Sequence, residues 1–439
     1  MGRYFGTDGI RGKAYDWITP ELAYSVGRSL ALLVNPLLVI ARDTRESGPM
    51  IVEALTKGAL ESGISVINYD VLPTPVLCYQ SEIKHALGVM VTASHNPYKD
   101  NGIKVFANGK KLFPEQEDLL EQVISGTVDL TKPLRSGRIR EADDPIPSYL
   151  ALMDSFAPVI TRKVVFDLAN GATVRTAKHV FQDRIKDAVF IGHHPNGKNI
   201  NLGVGSTHME KIQEYVRNNG CDIGFAFDGD GDRVLCVNRE GSLIDGDRMI
   251  YLLACALKDQ GMLSHNTVVL TKMSNLGIIK ALKHKGIDCI ETPVGDKYVL
   301  EAMDQGGYVL GGENSGHIIN RSYLSTGDGV LNALAILSLL EQKSQSIDDL
   351  LEPVHLYPET LSNLRGYDPA VLKRESVKKI ILDLTHALGS EGKILVRPSG
   401  TEPLIRILVS AQTQAQVDHA IHSIETAIKA ESQINTSPL

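Results

Sequence analysis

Three times along the chain an apolar run, a polar loop, an amphipathic stretch and a second apolar run follow one another. Residues 37–41 lead to the polar loop 42–47, then to Ile51, Leu55 and Ala59 at helical spacing, then to residues 65–68. Residues 164–167 lead through a glycine loop to Ala177, Val180 and Phe181 and to a strand near Val189. Residues 268–271 lead through Lys272-Met-Ser-Asn to Ile279 and Leu282 and to residues 288–291. A strand–loop–helix–strand order repeated in this way predicts α/β units with mainly parallel sheets. Ahead of the first unit, Thr19 and Pro20 mark a helix start, with Leu22, Val26, Leu30 and Leu33 following.

The last 70 or so residues read differently: a helix over 371–388, strands over 393–397 and 405–409, and a helix over 415–430, which is a small α+β domain. A length of 439 residues suggests about three domains. Composition favours four, because Asp143-Asp-Pro-Ile-Pro147 reads as a linker, Gly241 to Asp247 opens the apolar helix 249–257, and the stretch from Tyr357 to Pro369 is turn-rich. The expected division is 1–145, 146–246, 247–362 and 363–439, with a polar tail from Glu431 that frays.

Charge and cysteine content exclude several classes. A net charge of -7 argues against a nucleic-acid binder. The apolar run from Ser29 to Ala41 is interrupted by Asn35-Pro36 and is too short for a bilayer, so no membrane partner is expected. The N-terminus lacks the apolar core of a secretory leader, and Gly6 stands where myristoylation needs Ser or Thr. Five scattered cysteines without a C-x-x-C pair fit a reduced, cytoplasmic setting.

Four stretches carry chemistry. Residues 87–91 read as a buried strand that stops at Thr92-Ala-Ser-His-Asn-Pro97, which places the Ser94 hydroxyl at the mouth of a sheet, with His95 beside it and Lys104 just downstream. Residues 223–227 read as a strand running into Asp228-Gly-Asp-Gly-Asp-Arg233. Three carboxylates on one glycine turn repel each other unless a cation sits among them, and hard oxygen ligands favour Mg²⁺. An EF-hand is excluded, because its sixth and twelfth positions hold Arg233 and Arg239. A phosphatase of the haloacid-dehalogenase type also begins Asp-x-Asp-Gly after a strand and remains an alternative, although Asp232 replaces its usual Thr or Val. Gly311-Gly-Glu-Asn-Ser-Gly-His317 presents Glu313, Ser315 and His317 on a loop suited to sugar hydroxyls. Arg397-Pro-Ser-Gly-Thr-Glu-Pro403 joins a guanidinium, two hydroxyls and a glycine amide into an anion clamp, with Arg406 nearby. Phe5-Gly-Thr-Asp-Gly-Ile-Arg-Gly12 adds a glycine turn carrying Arg11, a weak phosphate signal by itself. Together they supply what phosphoryl transfer on a sugar phosphate needs, namely positioning and charge neutralisation.

With these motifs in this order, the chain resembles the α-D-phosphohexomutase superfamily. Within it, Tyr4-Phe-Gly-Thr-Asp-Gly-Ile-Arg-Gly12, Val294-Gly-Asp-Lys-Tyr-Val299 and Arg397-Pro-Ser-Gly-Thr-Glu-Pro403 resemble the bacterial phosphoglucosamine mutases. The resemblance implies three similar α/β domains with mixed sheets and a smaller C-terminal α+β domain around a central cleft. It implies a phosphorylated Ser94, one Mg²⁺ held by Asp228, Asp230, Asp232 and the phosphoserine, and Arg11, His95 and Lys104 as residues that neutralise the transferring group or move a proton. Arg233, Glu313, Ser315 and His317 would read the sugar, and Arg397, Ser399, Gly400, Thr401 and Arg406 would hold its non-reacting phosphate. The implied reaction interconverts glucosamine 6-phosphate and glucosamine 1-phosphate through a glucosamine 1,6-bisphosphate intermediate, in a monomer or dimer, and feeds UDP-N-acetylglucosamine synthesis. Phosphomannomutase and phosphoglucomutase activities of the same superfamily are the neighbouring alternatives. Two residues depart from the family pattern and bear on the choice of sugar: Asn314 where Gln is usual, and Lys272 where small or apolar residues are common.

Overall fold

A computed structural model describes residues 4–6, 8–130, 136–156, 159–399 and 404–434. The first unit is built on a seven-stranded sheet. Its main order is Ile10–Lys13, Asp100–Ala107, Leu87–Val91, Leu37–Arg42, Ser65–Val71 and Ile139–Arg140, with Lys110–Lys111 paired to Asp100–Ala107. Leu87–Val91 is buried throughout, as its uninterrupted apolar run requires, and pairs parallel to Leu37–Arg42 and antiparallel to Asp100–Ala107. Register then does the rest. Met90 lies opposite Lys104, and Arg11 opposite Gly102, so the Ser94 loop, Lys104 and Arg11 gather at one end of the sheet. The helix Pro20–Ser29 starts where expected, with the Thr19 side chain accepting from Leu22 N–H.

The second sheet runs Leu243–Ile244, Val234–Asn238, Ile223–Phe227, Ile160–Asp167, Ile185–Ile191. Ile223–Phe227 and Val234–Asn238 are antiparallel neighbours, with Phe227 opposite Val234, so the aspartate loop is the tight connection between them. The third sheet runs Asp288–Thr292, Thr267–Thr271, Leu310–Gly312, Ile318–Asn320. These three units share one apolar core, in which Val39 and Met90, Phe166 and Phe225, and Ile250 and Leu334 all belong to a single cluster. The helix Gly329–Lys343 is the keystone, because Gly329 to Leu340 are all buried.

The fourth unit is separate in build. Its strands Glu359–Arg365, Leu404–Ala411 and Gly392–Pro398 form an antiparallel sheet, and helices Glu375–Leu388 and Gln414–Ile434 accompany it. Its core, which includes Ile405, Ile407, Val409, Val417 and Ile424, is its own.

Three expectations change here. The stretch from Tyr357 to Pro369, read as turn-rich, contains the strand Glu359–Arg365; its apolar residues are too sparse to signal a strand. The single helix expected over 371–388 divides into a 3-10 turn, Pro369–Lys373, and the helix Glu375–Leu388, because Asp368 caps the turn and Arg374 is extended. The last helix continues to Ile434, past the point where fraying was expected. Among the described residues no helix is long and apolar enough to cross a membrane.

Candidate active site

Ser94 sits one residue into the turn that ends the central strand, with a left-handed backbone (φ 52°). That conformation costs a non-glycine residue roughly 1–2 kcal/mol. The Ser94 N–H donates to Thr92 Oγ1 (2.9 Å), and the side chain is 1% exposed. Its hydroxyl donates to Asp228 Oδ2 at 2.5 Å, which leaves His95 Nδ1 as the donor in the 3.2 Å contact to the same oxygen. The close approach needs a glycine on the other side: a Cβ at Gly229 would stand 2.5 Å from the Ser94 carbonyl oxygen.

The aspartates meet as their spacing implied. One oxygen from each of Asp228, Asp230 and Asp232 lies within 4.8 Å of the others, and all three residues are buried. Asp228 Oδ1 accepts from the Gly231 and Arg233 N–H groups, both at 3.1 Å. Asp230 Oδ2 accepts from Thr74 Oγ1 (2.6 Å) and Lys104 Nζ (2.8 Å), and Asp232 Oδ2 accepts from Lys104 Nζ (3.0 Å). Asp230 Oδ1 and Asp232 Oδ1 are buried without a hydrogen-bond partner among the described residues. Buried carboxylate oxygens are costly unless satisfied, so two orphaned oxygens inside a three-carboxylate cluster fit a hard divalent cation.

Lys104 is 3% exposed and reaches three carboxylates, the third being Asp8 at 3.1 Å. Burial opposes its charge, but Asp230, Asp232 and Asp8 outweigh burial and hold its pKa well above the ordinary value. Burial also opposes ionisation of Asp232, yet Lys104 and His317 keep that carboxyl well below the ordinary range. Asp228 goes the other way, pushed well up by burial and then by Asp232 and Asp230. His95 falls to about 4 through burial, with Arg233 and Arg11 adding to it. His317 is raised: burial lowers it, and Asp232 and Asp296 more than compensate.

These charges form a closed circuit through three units. Lys104 contacts Asp8, Asp8 contacts Lys111 (2.5 Å), and Lys111 contacts Asp296. Asp296 lies 3.7 Å from His317 Nε2, and His317 Nδ1 lies 3.7 Å from Asp232, which returns to Lys104. Arg11 joins through an ion pair with Asp8. Asp8, Lys111, Asp296 and Thr74 are thus site residues that the motifs did not single out. Asp8 stood in the quoted glycine turn and Asp296 in the quoted stretch Val294 to Val299, whereas Lys111 and Thr74 carry no local signal.

The loop expected to read the sugar is buried to half-buried. Glu313 is 8% exposed and accepts from Gly295 N–H at 3.0 Å, Asn314 and Ser315 are half-buried, and Arg233 Nε is 3.9 Å from Asp232. Lys272 is exposed just past the strand Thr267–Thr271. The stretch expected to form an anion clamp falls in the fourth unit. Strand register sets Arg397 directly opposite Arg406, and burial together with Arg406 lowers the Arg397 pKa. Ser399 N–H donates to Leu404 O at 2.9 Å, while Gly400 and Thr401 lie outside the described residues.

The four units have counterparts among known proteins. Residues 2–129, 154–241 and 245–357 match the phosphoglucomutase/phosphomannomutase alpha/beta/alpha domains I, II and III, and 361–427 match the C-terminal domain of the same family. The chain is 43% identical to the phosphoglucosamine mutase of Bacillus cytotoxicus, over 98% of this chain and 99% of that one. It is 42% identical to that of Halalkalibacterium halodurans, with the same coverage of both. The fold resembles a phosphoglucomutase/phosphomannomutase family protein from Burkholderia thailandensis (TM-score 0.84, 23% identity, 97% of each chain). It also resembles the Aspergillus fumigatus N-acetylphosphoglucosamine mutase determined with GlcNAc-6P and magnesium (TM-score 0.67, 17% identity, 98% of this chain and 96% of that one). With four domain matches in family order and full-length relatives at this identity, the chain belongs to the phosphoglucomutase/phosphomannomutase family.

Proposed function

We propose that the protein interconverts glucosamine 6-phosphate and glucosamine 1-phosphate, with Ser94 as the residue that carries the phosphoryl group. The observation that carries this reading is the Ser94 hydroxyl seated on Asp228 of a buried three-carboxylate cluster. The 43% identity to a phosphoglucosamine mutase along nearly the whole chain supports the choice of sugar. Asp228, Asp230, Asp232 and the seryl oxygen would hold Mg²⁺, which when bound supplies neutralisation of the charge on the transferring group. A phosphoserine carries about -1.5 to -2 charge at neutral pH, which suits it to complete such a ligand set.

In transfer, the bond between phosphorus and Ser94 Oγ breaks and a bond to a substrate hydroxyl oxygen forms. The hydroxyl proton leaves to a base of the chain, and His95, whose Nδ1–H faces the seryl oxygen, is placed to give that oxygen a proton as the bond to phosphorus breaks. Lys104 keeps an ammonium beside the reacting group, and Arg11 adds a second cation from the neighbouring strand Ile10–Lys13. The glucosamine 1,6-bisphosphate so formed turns over in the cleft, and its other phosphate returns to Ser94. Glu313 and Ser315 would read the sugar, while Arg397, Ser399 and Arg406, with Gly400 and Thr401, would hold the phosphate that is not reacting.

Asp228 is a poor candidate for the nucleophile of a phosphatase. One of its oxygens is fixed by two backbone N–H groups and the other by Ser94. The test combines intact mass with substrate choice. Phosphate on Ser94 survives acid, and kcat/KM should be higher for glucosamine phosphate than for glucose or mannose phosphate. Acid-labile phosphate with net release of inorganic phosphate would replace the mutase by a phosphatase, and a strong mannose preference would overturn the choice of sugar.

A further inference from the structure

The turn that carries Ser94 is gripped from behind by a side chain outside every chemical motif. Arg45 lies in the loop after Leu37–Arg42 and is wholly buried. Its Nε donates to Asp43 Oδ2 at 2.8 Å. Its Nη2 donates to the carbonyls of Ser94 (2.8 Å) and Asn96 (2.9 Å), and its Nη1 donates to those of Pro97 (2.5 Å) and Asp100 (2.9 Å). A guanidinium has five N–H groups, so every donor is used, four of them on this one turn. Asp43 Oδ2 also accepts from Thr92 Oγ1 (2.7 Å), and Thr92 Oγ1 accepts from Ser94 N–H (2.9 Å). The Ser94 peptide unit is therefore held on its N–H side through Thr92 and Asp43 and on its carbonyl side by Arg45. Asn201 of the second unit donates to the same carbonyl at 2.8 Å.

We propose that Arg45 is the positioning residue that keeps Ser94 in its left-handed conformation, with Oγ aimed at the carboxylate cluster. The proposal rests on Ser94 being the phosphorylated residue. A left-handed serine relaxes toward ordinary backbone unless its surroundings over-determine it. Arg45 does that without touching the reacting atoms. Lysine cannot replace it, since three donors on one nitrogen cannot span four carbonyls and a carboxylate.

The test uses full-length Arg45→Lys and Arg45→Ala, each read by steady-state kinetics and by hydrogen exchange over residues 92–101. A displaced reacting group typically costs about 100-fold in rate, so kcat should fall by about that much in both variants, with KM within about twofold of wild type. Exchange should rise in residues 92–101 and stay unchanged in the rest of the first sheet. Millimolar guanidinium chloride should restore part of kcat to Arg45→Ala and none to Ser94→Ala. Asp43→Asn, which keeps the shape and weakens the anchor, should lose about tenfold in kcat and decides the matter if the Arg45 variants do not fold. Wild-type kcat with unchanged exchange over 92–101 in the variants that fold would overturn the proposal and leave the mutase reading intact. A wild-type protein without phosphate on Ser94 and without turnover would overturn the mutase reading, while the exchange difference would still decide whether Arg45 holds the turn.

Discussion

The proposed function gives the protein two places that take phosphate, and they are made in opposite ways. Around Ser94, three units contribute buried charges that close into a circuit, on a hydrophobic core common to all three. Around Arg397, a small sheet with its own core presents two arginines side by side. That sheet is joined to the third unit largely through polar contacts: Lys393 to Glu291 and to Ser274 O, and Lys280 to a Glu391 that also accepts from Tyr357. The difference teaches a division of labour. Bond making needs groups fixed to fractions of an ångström, which a shared core and over-determined charges provide. Gripping the far end of a substrate needs only charge and reach, and a separately built unit can supply both.

Four measurements can break or sharpen this contrast. Ser94→Ala should lower kcat by at least about 10⁴-fold while the circular dichroism spectrum is kept, as for other residues that carry the covalent step. Lys104→Ala should come next. It removes the ammonium from three carboxylates, and breaking a buried pair of this kind costs roughly 3–5 kcal/mol, to be read as a lowered Tm together with a loss of turnover. Arg397→Ala should lower kcat/KM by about 10- to 100-fold, mostly through KM, because it removes a charge-assisted contact present in ground and transition states alike. If kcat fell as far as in Ser94→Ala, the two places would be one machine, and the contrast drawn above would be wrong.

The smallest effect concerns the junction itself. Glu359 is raised to about 7 by burial and then by Asp247, and Asp247 is raised to about 6 by burial and then by Asp245. An acid whose folded pKa exceeds its unfolded one binds more protons when folded. Its contribution is complete below the ordinary values of 3.8 and 4.5 and is lost as pH rises through 6 and 7. Melting of the fourth unit should therefore shift down by a few degrees between pH 5 and 8, and Glu359→Gln should flatten that dependence. An unchanged slope in the variant would remove Glu359 as its source.

Much of this was legible in the chain because the relevant signals are local. The alternation of carboxylate and glycine in 228–232, the abrupt end of the apolar run at Val91 and the Thr19-Pro20 helix start each occupy a few adjacent residues, and each has one structural consequence. What escaped depends on distance. Lys111 is an ordinary surface residue by sequence and Asp296 one position of a quoted stretch with no assigned role, and only the fold brings them together across 185 positions. Arg45 has the same character, since its four carbonyl acceptors have no side-chain signature at all. The strand Glu359–Arg365 was hidden for another reason: only Leu364 among its side chains is buried, so hydrophobic alternation is nearly silent there.

The register that sets Arg397 against Arg406 has a price of its own. Like charges facing each other across a ladder repel, and an anion held beside them would relieve that repulsion. Replacing Arg397 by glutamine should make the isolated fold harder to melt and the enzyme worse at its work. Laboratory selection for heat resistance alone would tend to erase this pair, and its survival in a screened variant would mark selection for catalysis.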